Sequence, residues 1–264
     1  MSKTKFGLRD TPRDDRDFNL GAYTSLPDLS ELPESFELKP LRTENQGDTD
    51  FCSAYMSTGM SELQEGVELD PWWSFAVSKK ISGGLDDWGQ DIRSALKAHL
   101  KPYGAIEHTP VSITATEARD INNWNDNLFD EAKKHRKQSY FKVNGRGESF
   151  DIVKKAIWKY RDEKRAVGTG LIWSWNLNQA ILEGTQDYGF GHAVYILGWE
   201  KEHMVIQNSY GDTGTGGGRH LVARETINHF VKRYGAWMFI DEDPNKIKST
   251  FSWRFKNFLW NWKN

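Results

Sequence analysis

The period of the apolar residues changes partway along this chain, and that change limits the folds open to it. From Cys52 the residues Cys52, Met56, Gly59, Met60 and Leu63 recur at helical spacing. Asp48 and Asp50 stand just before them, where acidic groups suit the positive end of a helix. A second helix is expected over Asp91 to His99, with Ile92, Ala95, Leu96 and His99 on one side and Pro102 and Gly104 ending it. A third fits Asp151 to Tyr160. Later the pattern turns to strands: Ala193 to Trp199, Met204 to Gln207 and Trp237 to Ile240 are short runs of strand formers. Helices first and strands later imply an α+β arrangement with two lobes. No internal repeat is present.

A chain of 264 residues is long enough for one large domain or one two-lobed unit. The net charge is −2, from 35 basic and 37 acidic residues well mixed, so no field for nucleic acid or an anionic membrane is implied. The basic run Lys133 to Lys137 follows Asp130 and Glu131 and is expected to be a solvated helix face. The first ten residues hold no apolar stretch of signal-peptide length, and no run approaches a membrane span. With one cysteine, this points to a reducing, cytoplasmic setting. Residues 1–31 are polar and punctuated and are expected to form an irregular lead segment. A domain over 32–245 follows, then an aromatic tail over 246–264.

Cys52 cannot form an internal disulfide, since it is the single cysteine. It is an inert core residue, an intermolecular crosslink or a nucleophile. A nucleophilic cysteine works as the thiolate, which a helix N-terminus and a neighbouring imidazolium both favour. Cys52 heads the first strong helix. Among seven histidines none pair at His-Glu-x-x-His spacing, so no metal is expected. His99, His108, His135, His203, His220 and His229 lie in helical, loop or charged settings. His192 differs: Gly191 precedes it and it enters the strand from Ala193. Asn208 follows 16 residues later, after a second expected strand. If those strands are adjacent and antiparallel, the Asn208 amide oxygen can accept from the imidazole N–H and fix its tautomer.

Taken together, Gln46-Gly47 followed by Cys52, His192-Ala193-Val194, and Asn208-Ser209-Tyr210-Gly211 resemble the motifs of a papain-like cysteine peptidase. Members of that family carry the histidine and asparagine about 130–150 residues after the cysteine; the offsets here are 140 and 156. Leu32 to Leu38 resembles the opening of the mature domain, and Asp86 to Tyr103 its second long helix and following turn. The likeness covers roughly residues 32–241 and is nearest the bacterial and viral type, through Arg16-Asp17-Phe18 in a short lead segment.

The resemblance implies a two-lobed fold, with a helical left lobe, an antiparallel β-barrel-like right lobe and a cleft between. It implies a peptide or protein substrate and no cofactor. Cys52 would attack the scissile carbonyl, His192 would pair with it and protonate the leaving amine, and Asn208 would orient His192. The Gln46 amide and the Cys52 backbone N–H would hold the oxyanion. Phe190 and Gly191 would line the cleft beside Tyr210, with Gly89 on the opposite wall.

Some residues depart from the family pattern. Asp50, Phe51 and Ser53 replace a small residue, the residue before the cysteine and a tryptophan. Tyr210 replaces the tryptophan that shields the His–Asn pair, and the second tryptophan of that loop is missing from Gly211 to Gly218. Asp50 beside a thiolate opposes ionisation unless it turns to solvent or a cation. This crowding motivates a second reading, a catalytically weak scaffold acting in binding, assembly or a virion. A third keeps the chemistry on another bond, as an amidase, isopeptidase or transpeptidase.

The Gly211 to Gly218 run lacks the Gly-Lys-Ser/Thr ending of a phosphate loop and is expected to be flexible. The lead segment is a candidate to lie across the cleft as an autoinhibitory piece. In the tail, Phe251, Phe255, Phe258, Leu259 and Trp262 form one helical stripe. Packing on its own domain or a partner is favoured there over a membrane interface, because only three cations accompany it.

Overall fold

The computed structural model describes residues 7–108 and 112–241 of the 264. Its elements run β1 (Phe18–Asn19), α1 (Leu20–Tyr23), β2 (Ser35–Glu37), α2 (Cys52–Glu65), α3 (Pro71–Ser82), α4 (Ile92–Ala98) and α5 (Leu128–Ala132). Then come β3 (Ser139–Lys142), α6 (Ser149–Lys159), β4 (Val167–Trp173), β5 (Ile181–Leu182), β6 (Phe190–Glu200), β7 (His203–Gln207), β8 (Arg219–Ala223), α7 (Arg224–Tyr234) and β9 (Ala236–Ile240). The order gives the expected α+β architecture with a helical lobe before the sheet. Among the described residues no helix is long and apolar enough to cross a membrane.

Helix α2 is shared between the two cores. Cys52, Met56, Met60 and Leu63 recur about once per turn and sink into the core beneath the sheet. Ala54 and Tyr55, on the other side, join Phe51, Trp73, Phe75 and Trp124 in a separate core of the helical lobe. Every residue from Cys52 to Leu63 is therefore buried. Two of its buried hydroxyls are satisfied nearby: Ser57 Oγ donates to Ala54 O at 3.1 Å and Thr58 Oγ1 to Ser74 Oγ at 3.1 Å.

Helix α3 carries no amphipathic stripe, because most of its residues are buried. Its start is nevertheless written in the sequence. Pro71 takes the first helical position, and the Asp70 carboxylate accepts from the N–H groups of Trp72 at 2.8 Å and Trp73 at 2.9 Å. The placing of a long second helix over Asp86 to Tyr103 is corrected here: α3 is that helix, and only Ile92–Ala98 is helical in the later stretch. The reason is Asp91, whose side chain accepts from Ser94 N at 3.0 Å and so caps a fresh helix start.

The expected solvated face at Lys133 to Lys137 is also corrected. Helix α5 stops at Ala132. Lys137 is buried and pairs with Glu65 at 2.7 Å, and His135 Nδ1 meets the same carboxylate at 2.6 Å. Arg136 donates to the carbonyls of Tyr103 and Pro102. Lys137 and His135 thus close on the last turn of α2 at the partly buried Glu65 carboxylate.

Among the described residues the sheet has nine strands, ordered β1-β3-β9-β4-β6-β7-β8-β5, with β2 also on β6. The central β6 is antiparallel to β4, with Leu171 opposite His192 and Trp173 opposite Phe190. It is antiparallel to β7, with Tyr195 opposite Gln207. Continuing that register by one residue sets Asn208 across from Val194, on the same face as His192.

The lead segment packs as part of this unit. Leu8 and Leu20 are buried in the main core, Phe18 pairs in parallel with Phe141, and Asp17 holds Arg93. Of its described apolar residues Leu8 and Leu20 are deep, Phe18, Tyr23 and Leu26 are partly buried against the core, and Leu29 is exposed. The aromatic tail over 246–264 lies outside the described residues.

Candidate active site

Cys52 is the first residue of α2 and the first of that helix's sheet-facing side. This places its thiol, fully buried, against the edge of β6, where the backbone of Ala193 reaches it. The neighbouring residue on β6 is His192, also fully buried. His192 Nε2 lies 3.2 Å from Asn208 Oδ1. Tyr210 stacks on the imidazole with ring centroids 4.9 Å apart and planes 21° apart, so it shields the pair. Trp173 of β4 meets the same ring edge-on at 5.2 Å.

Gln46 reaches the site from the loop before α2. Its N–H donates to Ser209 O at 2.8 Å, and Ser209 Oγ donates to Gln46 Oε1 at 2.6 Å. Gln46 Nε2 donates to Thr49 O at 2.7 Å. Both ends of the amide are therefore assigned, and Gln46 is bound to the residue that follows Asn208. The Gly211 to Gly218 loop, expected to be flexible, is tied down: Gly211 N donates to Glu44 O and Gly218 O accepts from Asn208 N, each at 2.8 Å.

Two of the residues that crowd Cys52 in the sequence, Phe51 and Asp50, have partners of their own, although the Asp50 charge still raises the thiol pKa. Phe51 stacks on Phe75 at 3.8 Å and meets Trp72 edge-on, inside the helical core. The buried Asp50 carboxylate is held by the Arg119 guanidinium and by the Gly89 N–H. Arg119 in turn spreads over the rings of Phe51, Phe75 and Trp88. Lys79 Nζ, beneath this wall, donates to the carbonyls of Gly84 at 3.1 Å and Gly89 at 2.6 Å, and to that of Asp87. Burial pushes its pKa down to about 8. Gly89 thus stands on the wall facing β6, held from both sides by buried charges.

The cleft between these walls is occupied by the chain itself. Gly7 O accepts from Gln90 N at 2.7 Å, Arg9 N donates to Gln90 O at 3.1 Å, and Leu8 N donates to Gly191 O at 2.9 Å. The segment therefore bridges the two lobes through the wall residues expected to bind substrate. Gly89 has φ +66°, and a Cβ there would lie 1.8 Å from Gly7 O, so glycine is what admits the segment. The Gly7 backbone also reaches the Cys52 thiol. Phe190 is half-buried at the head of β6 and packs against the main core.

Under this cover both members of the pair are driven to their uncharged forms. Burial raises the Cys52 pKa to about 11, against backbone hydrogen bonds from Ala193 and Gly7. Burial lowers that of His192 to about 3, against the hydrogen bond to Asn208. Among the described residues no group of three metal-ligating side chains is present.

Sequence reasoning missed Arg119, Lys79, Leu8, Trp173 and His220. None carries a local signal: His220 reads as one of the histidines in helical, loop or charged settings, 12 residues after Asn208.

No family model matches the chain, and no curated protein sequence does. Solved structures do share its fold. Xylellain, a cysteine protease from Xylella fastidiosa, is 20% identical, with 91% of this chain and 97% of that one covered and a TM-score of 0.69. Procathepsin L2 from the larval midgut of Tenebrio molitor is 18% identical over 90% and 78%, with a TM-score of 0.65. The Carica candamarcensis cysteine protease solved with E-64 is 16% identical over 79% and 98%, with a TM-score of 0.56. The chain has the two-lobed papain-like fold.

Proposed function

We propose that the protein is a cysteine peptidase that hydrolyses peptide bonds through Cys52. The observation that carries this is the meeting of Cys52, at a helix head, with a strand whose His192 is hydrogen-bonded to Asn208. Cysteine proteases of the same fold support it. With substrate in the cleft, the Cys52 proton passes to His192 and the thiolate attacks the carbonyl carbon. The oxygen gains charge facing Gln46 and the Cys52 N–H, whose loss typically lowers rate about 10²–10³-fold. As the C–N bond breaks, His192 gives its proton to the leaving amine. Water then loses a proton to His192, attacks the acyl-enzyme, breaks the C–S bond and restores the thiol. Asn208 Oδ1, accepting from His192 Nε2–H, favours the imidazolium at each turn.

The non-catalytic reading rests on Asp50, Phe51 and Ser53, of which Asp50 and Phe51 bear most on the thiol. The Phe51 ring is packed in the helical core, and the Asp50 carboxylate, which also lifts the Cys52 pKa, is paired with Arg119; that pairing favours catalysis. In the resting chain residues 7–9 act as an inhibitory strap. Gly7 O is bonded to Gln90 N, so the strap sits in the cleft without offering that carbonyl to the oxyanion donors.

The test is alkylation of Cys52 by iodoacetamide or E-64, together with hydrolysis of a peptide library by the full chain and by Leu8→Asp. Labelling no faster than a free thiol peptide in both forms overturns the peptidase reading. Product analysis with added amine acceptors separates hydrolysis from transpeptidation.

A further inference from the structure

We propose that His220, on β8, is a positioning residue for this reaction, because it fixes which end of the Asn208 amide faces His192. The inference rests on the peptidase reading for its consequence, but its geometry stands apart from turnover. His220 is fully buried. Its Nδ1 lies 2.7 Å from Gln179 O and its Nε2 lies 3.1 Å from Asn208 Nδ2. A backbone carbonyl only accepts, so His220 Nδ1 carries the hydrogen. Burial holds the ring uncharged, so Nε2 is left as an acceptor, and it takes a hydrogen from the Asn208 NH₂.

That assignment propagates. With its nitrogen bound to His220 and to Thr213 Oγ1 at 3.3 Å, the Asn208 amide must present its oxygen to His192. Turned over, the amide would set its oxygen against the His220 lone pair and its NH₂ against His192 Nε2. His192 Nε2 therefore keeps its hydrogen, and Nδ1 is the nitrogen that exchanges a proton. Donation runs in one direction throughout, from His192 to Asn208, from Asn208 to His220 and from His220 to the Gln179 carbonyl. Trp173 packs edge-on against both imidazoles, at 5.2 Å each, and closes the network from water. The glycine-rich loop completes it: Gly214, at φ +66°, passes so close that a Cβ would lie 2.8 Å from the His220 ring.

The test compares full-length His220→Gln, His220→Phe and His220→Leu with the natural chain. Glutamine can accept from Asn208 through Oε1 and donate to Gln179 O; phenylalanine fills the ring volume and does neither. Phenylalanine and leucine are expected to lower kcat about tenfold, the effect of one lost hydrogen bond, with KM unchanged. The alkaline limb of the pH–rate profile moves to lower pH, because His192 loses an acceptor that favours its charged form. Glutamine restores most of both.

Histidine ¹⁵N spectra of the same proteins read the His192 tautomer without turnover. The Nε2–H form is expected in the natural chain and in His220→Gln, and a mixture in His220→Phe. An unchanged tautomer and profile in His220→Phe overturns the proposal, as does a His220→Gln loss equal to that of His220→Phe. Should leucine fail to fold, the glutamine and phenylalanine pair carries the comparison. A natural chain with the expected tautomer but no hydrolysis overturns the peptidase reading alone.

Discussion

The two walls of the cleft are held by different forces. On the helical side Asp50, Arg119 and Lys79 bury formal charges and satisfy them with each other and with backbone groups around Gly89. On the β side His192, Asn208 and His220 are joined by hydrogen bonds between uncharged groups, closed in by Trp173 and Tyr210. A wall that only has to keep its shape can use fixed charge, because the charge never changes during a cycle. An imidazole that must gain and lose a proton needs neighbours that orient it without locking its charge.

Removing the proposed nucleophile should therefore act on rate alone. Cys52→Ala is expected to lower peptide hydrolysis by on the order of 10⁶ while leaving the urea midpoint nearly unmoved, since it trims one buried atom. Residual turnover within tenfold of the natural chain would break the assignment. Arg119→Leu should do the opposite and act on the fold. It strands the Asp50 carboxylate with one backbone donor, and losing one partner of a buried pair costs about 3–5 kcal/mol. Urea unfolding measures the loss, and adding Asp50→Asn should recover much of it. If the double variant is no more stable than Arg119→Leu, the pair does not hold the wall.

The strap joins both walls, so loosening it sharpens the comparison. Leu8 packs over Gly170 on β4, and burying such a side chain is worth about 1.5–3 kcal/mol. Leu8→Asp should then raise the rates of Cys52 alkylation and of hydrolysis roughly 10–100-fold, taking 1.4 kcal/mol per tenfold. Equal rates in the two chains would show that residues 7–9 do not limit access.

Much of the β-side site is legible in the sequence, and little of the helical wall is. His192 sits on a strand and Asn208 one residue past the end of another; both apolar runs declare themselves, and antiparallel pairing brings the two residues to one face. Cys52 opens a helix with a visible period. The helical wall depends on contacts over long separations: Asp50 to Arg119 spans 69 residues and has no local pattern. Helix α3, buried on most sides, has no stripe to betray it, although Asp70-Pro71 marks its start. His220 looks like any strand residue until Gln179 and Asn208 are found beside it. The lead segment reads as irregular because its hold on the domain is made by scattered contacts over long separations, two buried leucines, the Asp17–Arg93 pair and backbone hydrogen bonds, which form no local pattern.

The smallest expected effect is electrostatic and separates two buried histidines. His99 of the helical lobe, beside Ser57 Oγ at 3.2 Å, and His192 are both pushed down to about 3 by burial. Each is uncharged when folded and titrates near 6.5 when unfolded. Each therefore contributes stability that is present above about pH 6.5 and is lost as pH falls towards 3, with a slope of about 1.4 kcal/mol per pH unit. His99 is enclosed by the core, while His192 is enclosed in part by the strap. In Leu8→Asp, water returning to the cleft should move the His192 pKa upward and leave His99 where it is. The variant should then lose less stability per pH unit than the natural chain between pH 6 and 4, measured by urea unfolding. Histidine ¹⁵N titration assigns the moving group. If both histidines move together, the variant has loosened the whole core; if neither moves, the strap is not what keeps the His192 imidazole uncharged.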